Sequence, residues 1–337
     1  MKRIALLCLL VSLIVTTAYA SNTATATGNW TDATIWSGGS VPINDGDEVK
    51  IGGTSVVSGL TVTVNTNLGS FSTKIIGTYN DCDLLITSGG FLGNGRRVQV
   101  GSGPGASFGS NRGTMTQTGG TVEINRSAEF DIAYKSSGGN PAPPYNEDPV
   151  VGVYTISGGT FQGTTNTSKV IVGARSGNGM TGTFRVIGTG GTINQAGDMY
   201  VASSTGSSGG TGTGIIKFDL VGGAVSRIKV RDSYIDAANE AAADARLVVV
   251  PDVAPAADLV LIENTSASAV TGKFDTLNGG YSRIVNLGGS TFWLSYTYDA
   301  STGYNNGNDI ALILIPEPAT IVLLAIGGLI AAKRRKQ

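Results

Sequence analysis

The chain has 337 residues, of which 14% are charged, 7% are aromatic and 50 are glycine, and its formal net charge is −1. Histidine is absent, which excludes Ser-His-Asp and Cys-His catalysis, His-ligated zinc and His-based pH switching. The glycines follow no Gly-X-Y period, which excludes collagen, and a hydrophobic fraction of 41% excludes disorder for most of the chain.

Residues 1–20 read as a signal peptide. Lys2 and Arg3 precede an apolar run, and Ala18-Tyr19-Ala20 offers signal peptidase the small residues that its cleavage site needs. Of the two cysteines, Cys8 lies in this leader. The remaining chain then holds Cys82 alone, so no intrachain disulfide forms, and Cys82 reads as a small buried hydrophobe.

Residues 21–80 read as an N-terminal cap and first coils. Within them Gly28 to Ile51 carries Trp30 and Trp36, then Gly46-Asp47-Glu48-Val49-Lys50-Ile51. Trp30 and Trp36 are expected to cover an otherwise open strand edge; stacking on sugar rings is the alternative.

Residues 81–235 carry an internal repeat. Gly-Gly pairs begin at Gly89, Gly119, Gly158, Gly190 and Gly222, spaced 30, 39, 32 and 32 residues apart. The residue four before each pair is Leu85, Met115, Tyr154, Val186 or Phe218, all apolar. After each pair comes a second strand-like stretch: Val98–Gly101, Phe130–Ala133, Val170–Gly173, Met199–Ala202 and Ile228–Val230. A unit of two or three short strands cannot bury its apolar face alone, but stacked units can. The expected fold is therefore all-β, a right-handed parallel β-helix (β-solenoid), with an antiparallel sandwich or jelly roll as its competitor. The long spacing contains Ser136 to Val150, rich in Pro and Gly, which reads as a loop thrown out from one coil.

Residues 236–315 read as C-terminal β-coils. They open on Asp236 to Arg246, whose strong helix formers predict a short helix or connector. Val270–Phe274, Phe292–Tyr296 and Gly307–Leu312 follow as strands. With the Trp-rich opening, this order of motifs resembles the passenger repeats of autotransporters. No outer-membrane barrel follows in the sequence, so self-transport is not inferred.

Residues 316–337 are of a different kind. Pro316-Glu317-Pro318 precedes Ala319–Ala332, an uncharged and mostly apolar stretch of 14 residues, and then the cluster Lys333, Arg334, Arg335 and Lys336. The prolines prevent helix from extending outward. The apolar stretch reads as a short transmembrane helix, below the ~20 residues of a free-standing span. The basic cluster reads as a stop-transfer signal that stays inside. These three ordered features resemble the PEP-CTERM sorting signal. That resemblance implies export across the inner membrane, transient anchoring there by the C-terminal helix, handling by an exosortase-type membrane enzyme and delivery to the cell surface or extracellular matrix, often alongside exopolysaccharide. A simple C-terminal membrane anchor is the alternative.

No catalytic cluster stands out, and the chain reads as a non-enzyme without a cofactor. The best local acid and base candidates are Asp81 and Asp83 with Arg96 and Arg97. Asp45, Asp47 and Glu48 form a second acidic group, at which Ca²⁺ is held open as an alternative. Gly307-Asn308-Asp309 matches a single copy of a calcium-binding repeat that needs tandem copies. With both basic ends set aside the remainder is acidic, which argues against nucleic acid as a partner. The expected role is a structural or adhesive protein of the surface or biofilm matrix. A secreted β-helix that binds or degrades polysaccharide is the alternative.

Overall fold

The computed structural model describes residues 21–43, 48–52, 58–71, 75–78, 81–103, 112–135, 150–173, 179–203, 212–236 and 244–316. Apart from one turn of 3₁₀-helix at Ala33–Ile35, every regular element among them is a strand.

The strands assemble into three parallel ladders, visited in rotation. The first is a nine-stranded sheet running from Ser21–Ala24 through Arg97–Gly103, Glu129–Lys135, Lys169–Val172 and Asp198–Val201 to Thr271–Gly272. The second includes Cys82–Ile86, Met180–Ile187, Gly212–Asp219 and Asp244–Val250. The third includes Phe91–Asn94, Gly191–Gln195, Ile228–Val230 and Leu259–Asn264. Two long strands, Arg112–Ile124 and Val150–Gly163, pass from the second ladder to the third in one sweep, with a register shift at the corner glycines. The fold is all-β, and this parallel rotation is compatible with a β-solenoid. It does not match the antiparallel sandwich or jelly roll.

Side chains alternate in and out along each strand, as in the buried-intermediate pattern of Met180–Ile187. Inward positions from the three ladders meet in one continuous apolar core. Its centre is aromatic: Phe161, from the third ladder, lies 5.0 Å from Phe130, 5.5 Å from Tyr154 and 6.0 Å from Phe184. Burial holds the Tyr154 phenol well above its ordinary pKa. It donates instead to Gln117 Oε1 at 2.5 Å, while Gln117 Nε2 donates to the carbonyls of Gly120 and Thr160. Tyr154→Phe would leave Gln117 Oε1 without that donor inside the core. A loss of about 1–3 kcal/mol is expected in chemical denaturation, and an unchanged midpoint would refute the contribution.

The register corrects the sequence reading at three points. Met115 and Tyr154 stack on Leu84, not Leu85, and are followed by Phe184 and Ile216. Val186 and Phe218 stand one column further along. The Gly-Gly pairs are a poor ruler because the corners between strand and pair differ in length. Val98, Phe130, Val170 and Met199 do align, but the fifth member of their column is Ser233, whereas Ile228–Val230 belongs to the third ladder. The segment expected as a helix or connector enters the second ladder as strand from Asp244, because stacking on Thr213–Asp219 outweighs helix propensity. Residues 237–243 of that segment, and 136–149 of the expected loop, lie outside the described residues.

A further column was not foreseen. Cys82, Gly113, Gly152, Gly182, Gly214 and Ala245 stack at the start of the second ladder. A Cβ at Gly152 would sit 2.1 Å from the Val100 carbonyl oxygen and 2.3 Å from the Ala133 amide nitrogen. Small residues are needed here because two backbones pack directly against each other. Cys82 is buried in this column and accepts from the Leu60 amide at 3.3 Å.

At each end of the stack one ladder edge is covered. The outer edge of Ser21–Ala24 is bonded by the segment around Trp36, with Thr25 N donating to Ile35 O at 2.7 Å and Ser37 N to Thr23 O at 2.8 Å. Trp30 and Trp36 are both buried, ring against ring at 5.1 Å, and Trp36 Nε1 donates to Trp30 O. Neither ring offers a face to sugar, which corrects that alternative. At the far end the strands cease to be parallel. Ile284–Leu287, Ser290–Asp299 and Tyr304–Ile315 form an antiparallel meander, and Tyr304–Ile315 covers the free edge of Leu259–Asn264.

Candidate functional site

The carboxyl-terminal exit is where sequence motif and fold meet. Ile315 is the last paired residue, opposite Thr291 at the start of Ser290–Asp299. Pro316 follows at once and is exposed. Asp258 fastens this final strand: its carboxylate accepts from the Leu314 amide at 2.8 Å and from the Tyr298 hydroxyl at 3.2 Å. The folded body therefore runs into the Pro-Glu-Pro motif with no intervening linker. Glu317, Pro318, the apolar stretch, and Lys333, Arg334, Arg335 and Lys336 lie outside the described residues, as do Ala18 and Ala20 of the leader. At the other end Ser21, next after Ala20, is already paired with Glu48. Among the described residues no helix is long and apolar enough to cross a membrane.

The acid and base candidates are not brought together. Asp81 faces Arg112 at 3.8 Å, with both side chains largely exposed. Asp83, on the second ladder, accepts from Thr114 Oγ1 at 2.8 Å and Thr116 Oγ1 at 3.2 Å. Arg97 belongs to the first ladder and is held by Glu129 at 2.6 Å, Asp131 at 3.3 Å and the Tyr134 hydroxyl at 3.1 Å. The backbone of Arg96 belongs to the corner before it, donating to Asn94 Oδ1. Asp45 and Asp47 lie outside the described residues, and so does the side chain of Glu48. Asp309 of the Gly-Asn-Asp triplet is a structural clasp, accepting from the Asn264 and Ala300 amides at 2.8 Å each. Among the described residues no three His, Cys, Asp or Glu side chains converge as a metal site.

Burial raises the Asp83 pKa, opposed by the two threonine hydroxyls. A carboxyl whose pKa rises on folding contributes stability when protonated, and that contribution is lost as pH climbs from its unfolded value through its folded one. Asp83→Asn is therefore expected to raise the melting temperature at pH 7, with the difference shrinking toward about pH 3, where the wild-type carboxyl is protonated. Greater destabilisation at pH 7 than at pH 3 would contradict this.

Two outer-surface features went unnoticed in the sequence, because each joins residues one circuit apart. On the first ladder Arg97, Glu129, Lys169 and Asp198 stack in register with alternating charge. Arg231 continues the row at 2.7 Å from Asp198. Tyr200 and Tyr234 stack beside it, 4.8 Å apart and 9° from parallel. Burial first, and the Asp198 charge second, push the Tyr200 phenol up to about 12. On the third ladder an open cleft of about 510 Å³ is lined by Thr192, Asn194, Arg227, Lys229 and Val260. Both of its cations reach Glu263, Arg227 at 2.6 Å and Lys229 at 3.3 Å.

A family profile described as the PEP-CTERM protein-sorting motif matches residues 314–336. The chain thus carries that motif, which begins inside the terminal strand at Leu314 and continues through Pro-Glu-Pro and the basic cluster. The motif implies export, location at the cell surface or outside the cell, and sorting by an exosortase, with signal peptidase acting at the other end. No curated protein and no solved structure matches the chain.

Proposed function

We propose that this is an exported structural or adhesive protein of the cell surface or biofilm matrix, sorted by an exosortase-type enzyme and without enzymatic activity of its own. In this reading the parallel strands up to Thr276–Leu277 form a right-handed β-helix, capped at its far end by the antiparallel meander of residues 284–315. Residues 1–20 are removed by signal peptidase. Ala319–Ala332 holds the precursor in the inner membrane as a short helix until the tail is processed at or near Pro316-Glu317-Pro318. The carrying observation is the sorting motif joined directly to a stacked body whose ionisable candidates serve separate ladders. Exopolysaccharide is the expected neighbour of the delivered protein, and Ca²⁺ at Asp45–Glu48 stays an alternative.

The test is the intact mass of the native protein together with its fractionation. A chain from Ser21 to the neighbourhood of Pro316, found at the surface or in the matrix, supports the reading. A mass that retains Lys333–Gln337, in the inner membrane, replaces it with a plain anchor.

The cleft beside Arg227 and Lys229 favours a second reading, a secreted polysaccharide-binding or polysaccharide-degrading protein. Hydroxyl, amide and cationic groups share one open surface there. Retention on a glycan panel that Arg227→Ala abolishes, or release of reducing ends, would move this reading to the front.

A further inference from the structure

We infer that one corner of the folded body, bearing Val221, Val253 and Ile315, rests on the lipid surface while the tail is in the membrane. The inference depends on the proposed reading of Ala319–Ala332 as membrane-inserted.

Three turns converge at this corner. Gly223 lies against Val253 and Pro255, and Gly288 against Ala254, where a Cβ would meet the Ala254 amide nitrogen at 2.8 Å. The turn at Gly288 joins Leu287 to Ser290, and the neighbouring Thr291 pairs with Ile315. The chain therefore leaves the body beside these turns. Their exposed surface carries apolar side chains, Val221 at 57% exposure, Val253 at 52% and Ile315 at 38%, with Ala254, Ala256 and Ala257 also exposed. The segment's two acids, Asp252 and Asp258, are exposed as well, with their carboxylates engaged by neighbouring groups of the protein. Asp252 accepts from the amides of Gly222, Gly223 and Val253 at 2.8–3.1 Å, and Asp258 from Leu314 and Tyr298.

The tether is short. Only Pro316, Glu317 and Pro318 separate Ile315 from Ala319. Even fully extended, those four steps span at most about 14 Å. The polar headgroup layer occupies roughly 5–8 Å on each side of the hydrocarbon. With Ala319 at the hydrocarbon boundary, Ile315 lies no more than about 9 Å beyond the headgroups. The corner at Ile315 is then the part of the body held nearest the membrane, and its valines and alanines are the groups that meet the headgroups.

The test uses the chain from Ser21 to Gln337, without the leader that signal peptidase would remove, in phosphatidylcholine vesicles containing a headgroup-quencher lipid. Cys82 is buried and is not expected to label. One fluorophore is placed at Val253→Cys, and in a separate protein at Ser40→Cys, which is exposed near the opposite end. Severalfold stronger quenching at 253 than at 40 is expected. A long Gly-Ser linker between Ile315 and Pro316 should weaken the quenching at 253, and adding Val221→Asp should remove what remains. Flotation with the vesicles but equal quenching at both sites overturns this inference alone. Failure to float overturns the membrane reading of the tail, and the inference with it.

Discussion

Gly152→Ala is expected to prevent the central circuits from closing, at a cost above about 4 kcal/mol, where single substitutions are exceptional. The added methyl would meet the Val100 carbonyl oxygen at 2.1 Å and the Ala133 amide nitrogen at 2.3 Å. Both obstacles are backbone atoms of the first ladder, so no rotamer change relieves them. Gly152 is absent from the positive-φ residues, so alanine could adopt its backbone conformation and the penalty is steric. Gly182 above it is hemmed in the same way, by the Ile132 carbonyl oxygen at 2.3 Å and the Gly173 amide nitrogen at 2.4 Å, so the strain cannot pass to the next circuit. Val153→Thr, one residue away on the half-buried outer face, serves as the control and should fall within about 0.5 kcal/mol. Circular dichroism and limited proteolysis of both proteins read the result. A soluble, protease-resistant Gly152→Ala protein with a wild-type melting temperature would refute the close packing of the two ladders.

Phe161→Ala should cost about 3–5 kcal/mol as a buried aromatic truncation. The upper end is expected, because Phe161 also touches Phe130, Tyr154 and Phe184, and each such ring pair contributes about 0.5–1.5 kcal/mol beyond its buried area. The three partners come from both other ladders, so the ring ties the faces of the core together at mid-stack. Chemical denaturation would show the loss, and near-ultraviolet circular dichroism of Tyr154 would show its altered surroundings. A change below about 1 kcal/mol would mean that the surrounding rings collapse into the space.

The stacked β architecture was legible because its signal is local and repeated: alternation within strands, glycine pairs between them and a near-constant period. Register was not legible, because the corners vary in length, and Leu85 in place of Leu84 is the resulting one-residue slip. The glycine column left a signal in Gly113-x-Met115, Gly152-x-Tyr154, Gly182-x-Phe184 and Gly214-x-Ile216, each a glycine two residues before an inward apolar side chain. The antiparallel ending also left a signal. Gly288-Gly289 between Leu287 and Ser290 is a two-residue hairpin turn, whereas the earlier pairs at Gly119 and Gly158 turn corners within single strands as they pass from one parallel ladder to the next. At the candidate site, the sorting motif was legible because its three parts are adjacent in sequence. Its attachment to the terminal strand was not, since that depends on pairing between Thr291 and Ile315 and on the clasp from Asp258. The surface charge row depends on contacts some 30 residues apart that only a known register supplies.

The hydrogen bonds between circuits point along the stacking axis, while the covalent chain winds across it. Tension applied between Ser21 and Pro316 therefore peels neighbouring circuits apart instead of shearing long strands past one another. Each circuit that detaches would release about 30 residues, or about 11 nm of extended chain. Under load the body would lengthen in discrete steps of one circuit each.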